Sequence, residues 1–222
     1  MSLSSRKPSR GRWIAFFGPD GVGKSAVIEQ LKDQIGSEFS GITEFHFRPM
    51  FGRSHADRHP VIDPHGHAPR RRFLSRLKLA YWLLDCWLGY LFLIGPGLRL
   101  SRLVIFDRYF PDILVDPLRY RLPPSCLRFA KRLTRLAPRP DLHILLDAPA
   151  EVVQARKAEV SGSESQRQRA AYLAMFQPIP RKLIVNANRP LNEVAQQVSD
   201  AVLAILAKPA VEPHEDWVIA NF

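Results

Sequence analysis

The chain is short of cysteine and short of acidic residues, and its basic residues are not gathered into a single run; each of these excludes something. Two cysteines in 222 residues, Cys86 and Cys126, give neither a disulfide framework nor a metal or redox spacing. Cys86 sits in an apolar run and reads as a packing residue, so reduced thiols and a cytoplasmic protein are expected. Only 21 acids stand against 32 lysines and arginines, a formal net charge of +11. Such an excess calls for nucleic acid, an anionic membrane surface or highly phosphorylated ligands. The arginines run from Arg6 to Arg189 without forming one block, which argues against nucleic acid. The N-terminal MSLSSRKPSRGR is basic and polar and lacks the apolar centre of a secretion signal. No internal repeat and no second domain are expected.

What is present is an alternation of apolar strands and helices. RWIAFF (12–17), ITEFHF (42–47), RLVIFD (102–107), LHILLD (142–147) and LIVNA (183–187) read as strands. Helices are expected at about 24–35, 74–94, 126–136, from Pro149, up to Phe176, and over 190–207. This order predicts a single α/β domain with a parallel sheet covered on both faces. A basic tail (1–11), a long loop rich in Gly, Pro, His and Arg (50–70), a proline-rich irregular segment (111–125) and a C-terminal tail (208–222) complete it. LAYWLLDCWLGYLFLIGPGL (79–98) is nearly long enough to span a bilayer but carries Asp85 and ends in Gly-Pro-Gly. A core helix that also forms a subunit interface is expected there, with surface membrane attachment as the alternative.

GPDGVGKS (18–25) carries the clearest chemistry. It follows a strand and opens a helix, the context a phosphate-binding loop requires. Gly18, Gly21 and Gly23 let the backbone wrap phosphates, while Val22 and Ala26 complete the loop and first helical turn. Lys24 can bridge the β- and γ-phosphates of ATP and Ser25 can ligate Mg2+. A second acid is expected at a neighbouring strand end: Asp107 or Asp147, with Asp107 favoured by the charged DRYFPD that follows. Guanine-specific hydrolysis is excluded. There is no Asn-Lys-x-Asp, and neither strand-end aspartate is followed by x-x-Gly. Arginines at loop positions, Arg48, Arg108, Arg156, Arg167 and Arg169, suit transfer between two anionic partners. Arg119 and Arg121 read equally as acceptor contacts or surface charges. Trp82 and Trp87 read as core or interface. His55, His59, His65 and His67 have zinc-like spacings but no supporting element, and are expected to belong to a polar loop.

Four motifs in order, GPDGVGKS, the DRY of Asp107–Tyr109, PDLHILLDAPAEVVQARK (140–157) and NANRPLNEVAQQV (186–198), resemble those of thymidylate kinases within the P-loop nucleoside-monophosphate kinases. The likeness runs from about Arg12 to Leu206. It implies a P-loop NTPase fold with a five-stranded parallel sheet, a small-molecule phosphate acceptor and ATP with Mg2+. It also implies a homodimer through the helix at 74–94. By the same resemblance, Asp20 touches an acceptor hydroxyl and Arg108, with Arg48 near it, grips the acceptor phosphate. Asp107 serves the metal and acceptor side. A lid at about 156–170 supplies Arg156 and Arg167 or Arg169. Asn188 and Arg189 border the adenine. Val22 replaces the arginine some members carry in the loop, which sends the transition-state charge to the lid. Other departures concern the acceptor. FRPMFG replaces Arg-Glu-Pro-Gly, and Cys86 stands where the family's base-reading arginine falls. These departures resemble a divergent branch associated with bacterial surface-polysaccharide genes. The expected acceptor is therefore a nucleoside monophosphate or, alternatively, a sugar or polyol, free or phosphorylated, linked to surface-polysaccharide synthesis. A nucleotide-binding regulator at the membrane is the reading from another class.

Overall fold

The computed structural model of the protein describes residues 10–50, 68–157 and 160–207. The loop histidines, most of the 50–70 loop and nearly all of both tails lie outside the described residues.

Five strands form one sheet in the order β2-β3-β1-β4-β5, where β1 is Arg12–Phe17, β2 Ile42–His46, β3 Leu103–Asp107, β4 Leu142–Asp147 and β5 Lys182–Asn186. Every neighbouring pair is parallel. The expected P-loop sheet is therefore observed. The central strand, β1, is buried at every position, as a strand covered on both faces must be. Its side chains alternate between two cores. Trp13, Ala15 and Phe17 join Phe106, Tyr109, Phe110, Tyr172 and Phe176 on one face. Ile14 and Phe16 join Ile28, Leu31, Ile105, Ile144, Val194 and Val198 on the other. That second face is covered by helices α1 (Lys24–Ile35) and α7 (Leu191–Ala207).

The first face is closed by α2 (Arg72–Gly89), α4 (Leu127–Leu136) and α6 (Gly162–Phe176). After α2 the backbone widens into a π turn over Tyr90–Ile94 and then the short α3, Gly95–Arg99. The expected long helix thus extends past Ile94, because Gly95 and Pro96 are tolerated at the start of a new helical turn. Arg72–Arg99 is, among the described residues, the one helical stretch long and apolar enough to cross a membrane. It buries Leu79, Trp82, Cys86 and Ile94 and leaves Leu77, Leu84, Leu91 and Phe92 exposed. One side is core, as expected, and the other is an open apolar face. Residues 110–126 are irregular as expected, with single 3-10 turns at Phe110–Leu114 and Pro124–Cys126.

Candidate active site

The C-terminal ends of the parallel strands converge on one edge of the sheet, where open α/β sheets place their ligands. Register puts Phe16, Asp107 and His46 in one row across β1, β3 and β2. The loop leaving β1 crosses that row. Gly18 has φ +138, and a Cβ there would stand 2.7 Å from the Leu146 carbonyl oxygen. Gly21 has φ +83 and lies against Lys157, again 2.7 Å from a built Cβ. Both conformations demand glycine. Gly23, φ +103, precedes α1 with no side-chain cap, and the first turn of α1 contains no acid. The leading N–H groups of α1 therefore make a positive, uncapped end suited to phosphate.

Lys24 is buried, and its Nζ donates to the carbonyls of Gly18 at 2.8 Å and Pro19 at 2.9 Å. Burial, with the charge of Arg108, lowers its pKa to about 8 against the pull of Asp20, Asp107 and Asp112. An ammonium held at such cost is a site prepared for anions. Ser25 and Ala26 are exposed on the first turn of α1, and Val22 is buried beneath the loop.

Asp107 is buried at the end of β3 with its Oδ2 3.5 Å from His46 Nδ1. Burial opposes its charge, but the His46 contact and the cations Lys24 and Arg108 outweigh it and hold the carboxyl well below the usual range. It is thus an ionised carboxylate beside the glycine loop. By chemistry, its anionic oxygen is the kind of ligand a hard cation such as Mg2+ takes.

Arg108 is the centre of the site. Its φ of +69 is a left-handed conformation unusual for a bulky residue. The backbone N–H donates to Phe16 O, tying the turn to the central strand. The guanidinium donates to Asp20, to Asp112 Oδ2 at 2.8 Å and to the Tyr172 hydroxyl at 3.0 Å. Asp112, wholly buried, also accepts from Tyr172 at 2.6 Å and Tyr120 at 2.8 Å. Burial works against the Arg108 charge, but Asp112 and Asp20 carry its pKa well above the ordinary value. Asp20 is gripped from its other side by Arg119. A carboxylate seated between two guanidinium groups marks a place where anions are bound.

The expected lid, about 156–170, falls at the end of α5 (Ala150–Arg156) and over the first half of α6. Arg156 crosses to the glycine loop and donates to the carbonyls of Ala187 at 3.1 Å and Val22 at 3.3 Å. Asn188 and Arg189 are exposed directly after that Ala187, so the lid arginine and the expected adenine border are neighbours. Arg167 does not reach the loop: it donates to its own helix neighbour Glu164 and to Val115 O. Arg169 makes a bidentate pair with Asp147 at 2.7 and 2.8 Å. Between loop and lid a cavity of about 10 Å³, lined by Asp20, Asp116, Arg119, Lys157 and Gln168, has room for about one water.

Farther from the loop, Phe47 stacks on Tyr120 with ring centroids 4.8 Å apart, and both pack against Trp82. The Arg48 guanidinium lies 5.6 Å from the Trp82 ring centroid. Cys86 is buried among the core side chains, and burial raises its thiol pKa to about 12. The structure therefore gathers Asp20, Lys24, Asp107 and Arg108, resolves Arg119 into an Asp20 partner, and leaves Arg48 and Arg167 to other contacts. Sequence reading missed Asp112, Tyr120 and Tyr172. A signal existed for Asp112, four residues after Arg108. None existed for Tyr172, which arrives from a distant helix.

No protein-family model matches the chain. It is 34% identical over 210 residues to thymidylate kinase of Xanthomonas campestris pv. campestris (strain B100), covering 89% of this chain and 85% of that protein. It is 30% identical over 161 residues to thymidylate kinase of Bradyrhizobium sp. (strain ORS 278), covering 71% and 69%. With thymidylate kinase of Xanthomonas oryzae pv. oryzae (strain PXO99A) the identity is 31% over 121 residues, 52% of each chain.

Proposed function

The chain belongs to the thymidylate kinase family, and from that premise we propose that it transfers the γ-phosphoryl group of ATP to a small acceptor already bearing a phosphate. In the family's pattern that acceptor is a nucleoside monophosphate. The observation that carries the reading is the Arg108 guanidinium, held by Asp112 and Tyr172 and aimed at Asp20, the third residue of the glycine loop.

The donor's phosphates lie along the glycine loop, with Lys24 released from the Gly18 and Pro19 carbonyls to meet them. Ser25 and Asp107 would hold Mg2+, which supplies charge neutralisation of the phosphates. Asn188 and Arg189 border the adenine. Arg108 orients the acceptor phosphate in line, and Arg119 shares Asp20 with it. An oxygen of the acceptor phosphate bonds to the γ-phosphorus, the bond to the bridging β–γ oxygen breaks, and ADP leaves with that electron pair. The attacking oxygen is already ionised at neutral pH, so no general base is needed. Catalysis is positioning and charge stabilisation. Arg156, which donates to Val22 O of the loop, supplies the stabilising charge there. Shifting it from two carbonyls to a phosphoryl group exchanges neutral acceptors for an anionic one.

A second acceptor class, a sugar or polyol phosphate, is favoured by the burial of Cys86, which leaves no side chain at that position to read a base. Labelled ATP offered with a panel of nucleoside monophosphates and sugar phosphates tests both readings. Label passing to a monophosphate supports the proposal, and label appearing only in inorganic phosphate refutes it. The open apolar face of Arg72–Arg99, with Leu77, Leu84 and Leu91, supports a homodimer. Sedimentation of the full chain checks this, and a monomer at micromolar concentration contradicts it.

A further inference from the structure

We propose that the acceptor carries a hydroxyl read by Gln168 and Asp116 in the cavity between the glycine loop and α6. The acceptor class is then a polyhydroxylated phosphate, a ribonucleotide or a sugar phosphate, in preference to its deoxy counterpart. The inference rests on the transfer reading above and concerns the acceptor side of the same site.

Asp116 follows Asp112 by one turn, its N–H donating to the Asp112 carbonyl at 3.3 Å. Arg108, Asp112 and Asp116 thus recur at every fourth residue. On α6, Gln168 precedes Tyr172 by four residues, which puts both on one helix face. The two series meet as rungs. Tyr172 donates to Asp112 Oδ1 at 2.6 Å, and Gln168 Nε2 donates to Asp116 Oδ2 at 3.2 Å. The first rung holds Arg108. The second lines the cavity of about 10 Å³, which has room for about one water and therefore for one hydroxyl. Arg119 joins this cavity to Arg108. Its backbone N–H donates to Asp116 Oδ1 at 3.1 Å, and its guanidinium pairs with Asp20, which Arg108 also holds.

Gln168 is 7% exposed, and its amide is only half used. Nε2 donates to Asp116 and, at 3.2 Å, to Glu164, while Oε1 accepts no hydrogen bond from any described residue. The reverse orientation of the amide would set its oxygen against two carboxylates. A buried amide oxygen that lines a cavity calls for a donor. The charges around the cavity narrow the choice. The carboxylates of Asp20 and Asp116 disfavour an anion there, and the guanidinium of Arg119 disfavours a cation. A hydroxyl is neutral and is donor and acceptor at once, so it gives its proton to Gln168 Oε1 and turns its lone pairs toward Arg119. A methylene in its place would leave the amide oxygen unmet.

The test is calorimetric binding to the full chain in the presence of ADP, with matched probes differing by one hydroxyl. The pairs are uridine 5′-monophosphate against 2′-deoxyuridine 5′-monophosphate, ribose 5-phosphate against 2-deoxyribose 5-phosphate, and glucose 6-phosphate against 2-deoxyglucose 6-phosphate. In at least one pair the hydroxylated member is expected to bind about tenfold tighter, the worth of one hydrogen bond in a buried site. A preference in the first pair alone assigns the hydroxyl to a nucleotide, and one in a sugar pair alone assigns it to a sugar phosphate. Gln168→Leu should reduce the ratio to under about threefold, and so should Asp116→Asn, which frees the amide that Asp116 orients. Thermal unfolding checks that each variant is folded. Absence of a preference in all three pairs, or of any binding, overturns the inference, and so does a preference that either folded variant leaves intact. The two proposals fail separately. Turnover of monophosphates with no pair preference leaves the kinase reading intact. A Gln168-dependent preference without transfer to any acceptor leaves the hydroxyl site intact.

Discussion

Arg108 and Asp112 lie four residues apart and meet at 2.8 Å in the interior, the carboxylate having no exposed surface. No regular helix brings them together; a left-handed Arg108 and the 3-10 turn after it do so. A buried charge pair of this kind does not by itself stabilise a fold. Its physical use is to hold one guanidinium in one orientation, with Asp20 at the open end.

Removing one partner of this pair strands the other. Asp112→Asn is expected to destabilise the protein by about 3–5 kcal/mol in urea unfolding. Tyr172→Phe removes one hydrogen bond and should cost about 1 kcal/mol. In the folded Tyr172→Phe protein the KM for the acceptor should rise while that for ATP stays constant, because Tyr172 positions Arg108 and not Lys24.

The depressed pKa of Lys24 makes a pH-dependent statement. Below pH 8 both folded and unfolded chains hold its proton, and the folded state bears the full cost of the buried charge. Between about 8 and 10.5 the unfolded chain alone keeps the proton, so stability rises with pH across that window. Relative to Lys24→Met, the ligand-free wild type should therefore gain about 2–3 kcal/mol from pH 7 to pH 10. Unfolding curves of both proteins at the two pH values measure this. A constant difference contradicts it. Lys24→Met should also abolish transfer.

The lid arginines should separate. Arg156→Met is expected to lower kcat by about 10²–10³-fold, the usual cost of losing a donor to a transition-state anion. Arg167 is occupied by Glu164 in a partly exposed pair, so Arg167→Met should change kcat by no more than about threefold. Steady-state kinetics with saturating ATP decides. Equal losses would assign the lid charge to both.

Restoring the family's arginine should fail. Cys86 is 1% exposed and packed among Tyr109, Trp82 and their neighbours. Cys86→Arg places an unpaired cation in that core and should destabilise by more than about 3 kcal/mol. A Cys86→Arg protein with the urea-unfolding stability of wild type would contradict this.

The donor half was legible in the sequence because its determinants are local. Gly18, Gly21, Gly23, Lys24 and Ser25 lie within eight residues and need only a strand before and a helix after. The three central strands, β3, β1 and β4, were legible because both faces are buried and each reads as a short apolar run. The acceptor half depends on distant segments. Tyr172 reaches Arg108 from 64 residues away, Arg119 reaches Asp20 across 99, and no spacing encodes either meeting. The left-handed Phe47 and the Pro49–Gly89 contact place the chain where the Arg48 guanidinium lies over Trp82, and no local pattern encodes that placement.

The central claim is that Arg108 presents a phosphate, not a hydroxyl, to the γ-phosphoryl group of ATP. Phosphorus NMR of the product tests it directly, using whichever acceptor in the panel takes label. Two mutually coupled resonances of a new phosphoanhydride, absent with Arg108→Met, are the predicted result. A single new phosphomonoester resonance, or orthophosphate alone, would contradict it.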